Sequence, residues 1–383
     1  MLQLNKSQIQ IQKTAREFAT GEFDKDMARD LDRMAEFPKE IWKYAAELGF
    51  IGMHFPEKYG GGGMGMIENV LVAEEFCRKD ATIGSSVMLS DVAADGLVRF
   101  GSDELRRQYI AEILEGRMRS GAAMTMPGGN DPGDAPGLTV TEAGDTWKIN
   151  GKIEGLINGG EADIYCLLCK SGISDNGSDD ISMFLVEADR PGIVCEKKHD
   201  TLGLRMTASS RVSFHNVEVP RTNLIGRKGR GLRQARQMLA EFQMLLSALA
   251  LGTAQGALDR TLAHVKQREQ FGRKIAQFQV NRHKLAAMAT QIEQARFLTY
   301  QAAVCFDTKK PDPRLIAMAK LTAAKTAVQV AYEAIQLMGG YGFTTEYDVE
   351  RFYRDAKALQ IIGGNERELS DDIAEAVIGR IRK

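Results

Sequence analysis

The apolar spacing of this 383-residue chain changes period twice, and that switch restricts its fold more than any other feature. Ile11, Ala15 and Phe18, then Ile41, Tyr44, Ala45 and Leu48, then Val70, Val72, Ala73 and Phe76 recur at helical spacing. From about Ser120 the texture becomes short β-rich runs, TWKINGKIEG, IYCLLCK, SMFLVEA and RVSFHNVEV, separated by Gly, Asn and Asp. Past the basic, glycine-rich link Gly226–Gly231, helical patterns return over roughly Gln234–Lys266, Val280–Phe306, Arg314–Met338 and Glu346–Gln360. A last one starts at Glu368. Helices, then strands, then helices predict an α+β chain with segregated layers and not an alternating parallel sheet. The expected divisions are 1–118 helical, 119–230 β and 231–383 helical.

Charges of both signs nearly cancel, leaving a formal net charge of −1, so no basic field exists to attract nucleic acid or anionic lipid. Five scattered cysteines fit a reduced, cytoplasmic protein. Cys166 and Cys169 form a CxxC inside a strand-like run, with no second pair to make a metal site, so no metal is expected. The N-terminus lacks the apolar core of a secretory signal, and no window approaches the ~20 apolar residues of a membrane span. Gly60, Gly62 and Gly65 satisfy G-x-G-x-x-G, but HFPEKY before them is no β-branched strand, so a dinucleotide site is not expected there.

The most specific stretch is Gln336–Glu366, QLMGGYGFTTEYDVERFYRDAKALQIIGGNE. It resembles the C-terminal signature of the acyl-CoA dehydrogenase family: Gln-Leu-x-Gly-Gly-x-Gly, then Arg354-Asp355-Ala356-Lys357, then a turn. Phe55–Gly61 likewise resembles that family's Phe-Pro-Glu-x-Tyr-Gly-Gly element. The resemblance implies an N-terminal helical domain, a central β-barrel-like domain and a C-terminal four-helix bundle. It also implies bound FAD, an acyl-CoA substrate, an electron-transferring flavoprotein as electron acceptor, and a homo-oligomer, a tetramer.

Site residues follow position by position from the resemblance. Arg268, Phe271 and Gln279 match its Arg-x-x-Phe-Gly…Gln element, where the arginine meets the FAD pyrophosphate of a neighbouring subunit; a guanidinium fork suits phosphate oxygens. Gln336, Gly339 and Gly340 match the segment beside the adenine half, and glycine permits close approach. Met124 and Thr125 match the first flavin contact, and Asn130 stands where a serine contacts the pantetheine. Leu156 and Ile157 belong to Gly155–Gly160, which resembles Trp-Ile-Thr-Asn-Gly with the tryptophan replaced by Gly155. Asn365 closes the signature turn, and Gln243 falls where many members carry a substrate-orienting arginine.

The usual base is missing. The family's glutamate position holds Gly363, and the alternative helix position holds Phe242. Glu241 is adjacent, but one residue turns it by about 100° on a helix, away from that target. Gly363 keeps the backbone N–H that, in the resemblance, polarises the thioester carbonyl. Asp91 is the expected replacement. It lies in the segment around Gly84–Phe100, whose family counterpart lines the acyl pocket, on a projected apolar stripe of Val87, Asp91, Ala94 and Val98. A carboxylate there is costly unless partnered or functional, and Asp95 is placed to raise its pKa. The alternative is a core salt bridge to a cation.

A base moved off the α-carbon suits a thioester already conjugated to a double bond, whose acidity lies at the γ-carbon. The expected reaction is a 1,4-elimination giving a cyclic diene. With Gly363 and Asp91 together the chain resembles the family members that act on cyclic enoyl-CoA thioesters, which implies cyclohex-1-ene-1-carboxyl-CoA to cyclohexa-1,5-diene-1-carboxyl-CoA, with onward oxidation to benzoyl-CoA. Gly363 and Gly155 would widen the site for the ring. Three alternatives stay open: an FAD-containing lyase or desulfinase, a conventional dehydrogenase with another relocated base, and a silent acyl-CoA-binding paralogue.

Overall fold

The computed structural model describes residues 4–123, 137–173, 179–308 and 311–379. The first region is helical: α1 (Lys6–Glu22), α2 (Lys25–Met34), α3 (Lys39–Glu47), α4 (Met66–Lys79), α5 (Ala81–Met88), α6 (Ala94–Phe100) and α7 (Asp103–Leu114). α4 runs through the core with nearly every residue buried, including Glu74 and Glu75. Each of those acids is matched: Glu74 by Arg296 and the Tyr300 hydroxyl, Glu75 by Arg16. Such pairing is what makes a buried carboxylate tolerable.

Strands follow: β1 (Ser120–Ala122), β2 (Leu138–Ala143), β3 (Thr146–Ile157), β4 (Ile164–Ile173), β5 (Asp179–Glu187), β6 (Ile193–Lys198), β7 (Ser209–Pro220) and β8 (Leu224–Ile225). Their order is β6-β7-β3-β1-β4-β5-β8, with β2 bridging β3 and β4. Among the described residues β6 and β8 do not meet, so the expected barrel-like domain is an open sheet. IYCLLC reads as a continuous apolar run because both faces of β4 are covered. Ile164, Cys166 and Leu168 join the core shared with the helices, whereas Tyr165, Leu167 and Cys169 join a second core with Trp147, Phe184 and Phe214. The two cysteines of the CxxC therefore serve opposite layers, and burial pushes the Cys166 thiol up to about 12.

The third region contains α8 (Gly231–Gln267), the hairpin β9 (Glu269–Gln270) and β10 (Arg273–Lys274), α9 (Gln279–Asp307), α10 (Pro313–Met338), α11 (Gly340–Phe343), α12 (Val349–Ile361) and α13 (Glu366–Ile378). The long helices start and stop within a few residues of the expected spans. Asp312 caps α10 through Arg314 N and Leu315 N, with Pro313 in its first turn.

The Arg-Asp-Ala-Lys stretch ties the regions together. The Asp355 carboxylate, fully buried, accepts from the Thr82 hydroxyl at 2.5 Å and from Leu204 N at 2.6 Å. Arg354 donates to Asp32 at 2.8 Å and to the Leu202 carbonyl at 3.1 Å. One α12 turn thus grips the N-terminal helices and the sheet region at once.

Candidate active site

The expected helix through Asp91 is interrupted. α5 ends at Met88 and α6 starts at Ala94. Ser120 of β1 causes the break: its N–H donates to the Ser90 carbonyl at 2.9 Å, and its hydroxyl accepts from Ala93 N at 3.0 Å. Asp91 bridges Ser120 in this gap, so its direction is set by a strand and not by the projected stripe. Asn158, at φ +57, adds two ties, donating to the Leu89 carbonyl at 2.8 Å and to the Ser120 carbonyl at 2.9 Å. Those bonds lock the Gly155–Gly160 motif to the Asp91 segment.

Asp91 lines a cavity of about 20 Å³ with His54, Asp95, Met88, Glu241 and Phe242. Burial pushes its carboxyl up to about 7; Asp95 adds to the shift and His54 opposes it. No arginine or lysine among the described residues enters these electrostatic surroundings, so the core salt-bridge alternative finds no partner there. His54 Nε2 and Asp95 Oδ1 are 2.8 Å apart. Glu241, expected to point elsewhere, lies on the same cavity: the cavity spans enough of α8 to take two consecutive residues. It pairs with Arg99, and its Oε2 is buried without a protein partner.

Phe242 is also a neighbour of Gly363. A Cβ placed on Gly363, at φ +71, would sit 2.4 Å from Leu246 Cδ1 and 3.3 Å from Phe242 Cδ1. The expectation that Gly363 widens the site is therefore corrected: Leu246 and Phe242 fill that space. Gly155 is different, because a Cβ there meets only Ser209 Oγ at 3.8 Å. At the turn, Gln243 Nε2 donates to the Gly363 carbonyl and Lys320 Nζ to the Gly364 carbonyl. Gly363 N–H donates to no protein group among the described residues. Gln243 thus spends an amide hydrogen on the turn. The Asn365 side-chain Oδ1 caps α13, accepting from Arg367 N and Glu368 N.

The cofactor candidates fall in separate places. Arg268 stacks over Tyr341 at 5.6 Å, which brings it beside the Gly339–Gly340 kink, and a Cβ on either glycine would meet nothing within 4 Å. Gln336, one turn earlier, is exposed. Phe271, on the β9–β10 tip at φ +52, is 93% exposed. Gln279 opens α9 on the same exposed edge. Leu156 and Ile157 are buried at the end of β3. Met124, Thr125 and Asn130 lie outside the described residues. Open backbone at paired glycines, a nearby guanidinium and an uncovered aromatic fit a large flat diphosphate cofactor laid on this surface.

Models of the acyl-CoA dehydrogenase N-terminal, middle and C-terminal domains match residues 5–117, 121–217 and 229–378. The chain belongs to the acyl-CoA dehydrogenase family. It is 32% identical, over 92% of its length and 93% of the relative's, to the caffeyl-CoA reductase-Etf complex subunit CarC of Acetobacterium woodii. Butyryl-CoA dehydrogenase from Megasphaera elsdenii superposes with a TM-score of 0.93 at 31% identity, covering 99% of this chain and 100% of that one. A glutaryl-CoA dehydrogenase from Mycobacterium smegmatis in complex with FADH2 gives 0.91 at 25%, covering 99% and 96%. Acyl-CoA dehydrogenases are oxidoreductases of the CH–CH group. No helix among the described residues is long and apolar enough to cross a membrane.

Sequence reading passed over His54 and Lys320 and set Glu241 aside. His54 carried one signal, being the only histidine in the first 118 residues, inside the apolar run FIGMHF. Lys320 carried none, since a lysine at helical spacing usually reads as a solvated face.

Proposed function

We propose that this chain is an FAD-dependent dehydrogenase of a cyclic enoyl-CoA thioester, converting cyclohex-1-ene-1-carboxyl-CoA to cyclohexa-1,5-diene-1-carboxyl-CoA and onward to benzoyl-CoA. One observation carries the reading: a carboxyl group poised near 7 stands on the cavity behind Phe242, while the turn beyond Phe242 has no side chain to act as base. The ring sits beside Gly155, where space is open. Gly363 N–H holds the thioester oxygen and stabilises the charge that develops there. Asp91 removes the γ-proton, and the electron pair of that bond moves through the conjugated system. FAD, when bound, accepts the hydride expelled from the opposite ring carbon. Phe242 and Leu246 keep water from the carbonyl side, so the charge develops in a dry setting.

Electrons then leave to an electron-transferring flavoprotein, in the cytoplasm. The working form is a homotetramer, a reading supported by uncovered apolar side chains such as Phe271, Phe297 and Phe343. The test is anaerobic mixing of holo-protein with cyclohex-1-ene-1-carboxyl-CoA while flavin absorbance is followed. Wild type should bleach quickly; Asp91→Asn should bind the thioester and bleach at least about a hundredfold more slowly. Normal bleaching by that variant would overturn the assignment.

A second reading has one observation in its favour. Glu241 Oε2 is buried, unpartnered and on the same cavity, as a relocated base for conventional α,β-dehydrogenation would be. Turnover of straight-chain acyl-CoA that is abolished in Glu241→Gln would support it.

A further inference from the structure

We propose that His54, oriented by Asp95, receives the proton that Asp91 takes from substrate, across a single-water site at the centre of the cavity. This relay rests on the assignment of Asp91 as base.

The cavity has the size of a water site and not of a ring. Its volume of about 20 Å³ exceeds the ~10–15 Å³ a water needs. It is also polar enough. His54 Nδ1 and Glu241 Oε2 are both buried and have no protein partner, and the Asp91 carboxyl is a third group on the same wall. Three partners of this kind satisfy what a buried water requires. Phe50, Met88 and Phe242 close the remaining sides.

Tautomer logic sets the direction of transfer. An ionised Asp95 only accepts, so at 2.8 Å the hydrogen sits on His54 Nε2. In its neutral form His54 then presents a bare lone pair at Nδ1, the atom left without a partner. The balance is simple. The substrate C–H bond breaks and an O–H bond forms on Asp91. Water takes that proton and gives one of its own to Nδ1. The imidazolium, paired with Asp95, returns a proton to solvent, which both side chains reach at 15% and 25% exposure. Asp91 is ionised again before the next substrate arrives.

The charges facing His54 are Asp91, Asp95 and Arg99 from its own wall, Glu241 from α8 and Asp307 from α9. Burial lowers the imidazole's affinity for a proton, but Asp95, with Asp91 adding, leaves it above its ordinary value. That suits a group that must hold a proton briefly.

The experiment follows flavin bleaching and proton release together, by stopped flow, in weakly buffered solution with a pH indicator. Holo-protein is mixed with cyclohex-1-ene-1-carboxyl-CoA. In wild type the two signals should coincide. In His54→Gln, bleaching should slow by less than about threefold, while proton release lags and steady-state turnover falls by more than about tenfold, within the usual range for a lost proton-transfer partner. Asp95→Asn, which keeps the cavity shape, should also delay release. Release in step with bleaching and wild-type turnover in His54→Gln would overturn the relay alone. Equal loss of both signals in both variants would overturn it in favour of a structural role. Normal bleaching in Asp91→Asn would remove the base assignment and the relay with it.

Discussion

Gln243 Nε2 donates to the carbonyl oxygen of Gly363 at 2.9 Å, across the gap between α8 and the turn that follows α12. Lys320 does the same from α10 for the Gly364 carbonyl, at 2.5 Å. Both side chains are buried, so the turn's carbonyls are held from two helices, while Gly363 N–H donates to no protein group among the described residues. Replacing Gln243 by Leu orphans a buried acceptor and should destabilise the chain by about 1–3 kcal/mol. Turnover should fall with little change in KM for the CoA ester, because the lost element matters as charge develops on the thioester oxygen. Thermal melts beside steady-state kinetics check both halves.

Gly363→Glu alone should give little 1,2-dehydrogenation of saturated cyclohexanecarboxyl-CoA. At φ +71 a side chain costs roughly 1–2 kcal/mol, and its Cβ would press on Leu246 Cδ1. The double variant Gly363→Glu with Leu246→Ala should gain that activity, measured as flavin bleaching by the saturated thioester. Equal activity in single and double variants would show that Leu246 is not the obstacle.

Asp91 should impose a pH dependence of known sign. Its folded carboxyl titrates near 7 and its unfolded one near ~3.9, so between those values the folded chain holds a proton that the unfolded chain has lost. Stability from this group therefore falls as pH rises through that window. Asp91→Asn removes the penalty, so its gain in Tm over wild type should be larger at pH 8 than at pH 5. In wild type, flavin reduction should rise with pH through about 7, because only the ionised form accepts the proton.

Gly155→Trp tests the ring seat. The position is at φ +66 with open space beyond it, so the variant should fold at a cost of roughly 1–2 kcal/mol. KM should rise more for the cyclic thioester than for a straight-chain one. Unchanged discrimination would place the ring elsewhere.

Asp355→Ala should be far more damaging than its distance from Asp91 suggests. It leaves the Leu204 N–H and the Thr82 hydroxyl without their acceptor and leaves Arg354 and Arg351 beside it less balanced. Loss of about 3–5 kcal/mol is expected, read as a large drop in Tm.

The layer order and the long helices were legible because their signal is local: apolar spacing, a Pro near the start of α10, glycine at the links. Asp91 was legible as a lone acid in apolar company, but its direction was not. The break around it is made by Ser120, far along the chain, and only Ser90 and Asp91, residues that compete for backbone hydrogen bonds, hinted at it. That Glu241 also reaches the Asp91 cavity was not legible, because an angular offset on one helix says nothing about how wide a cavity is. The filling of the Gly363 side by Phe242 and Leu246 was invisible for the same reason. Asp355 stood out as a motif, yet its work, joining Thr82 to Leu204, depends on contacts no spacing rule encodes.

That junction has a mechanical consequence. With one carboxylate and one guanidinium of α12 anchored in both other regions, prising the layers apart would strip Asp355 of Thr82 and Leu204 N and leave Arg354 with Glu350 of its own helix alone. Adjustment around the Asp91 cavity is then left to long, unbranched side chains buried on its wall, Met66 and Met88, whose flexible thioethers can swing without breaking a hydrogen bond. Stiffening either one to a β-branched residue would remove that freedom without touching the α12 anchors.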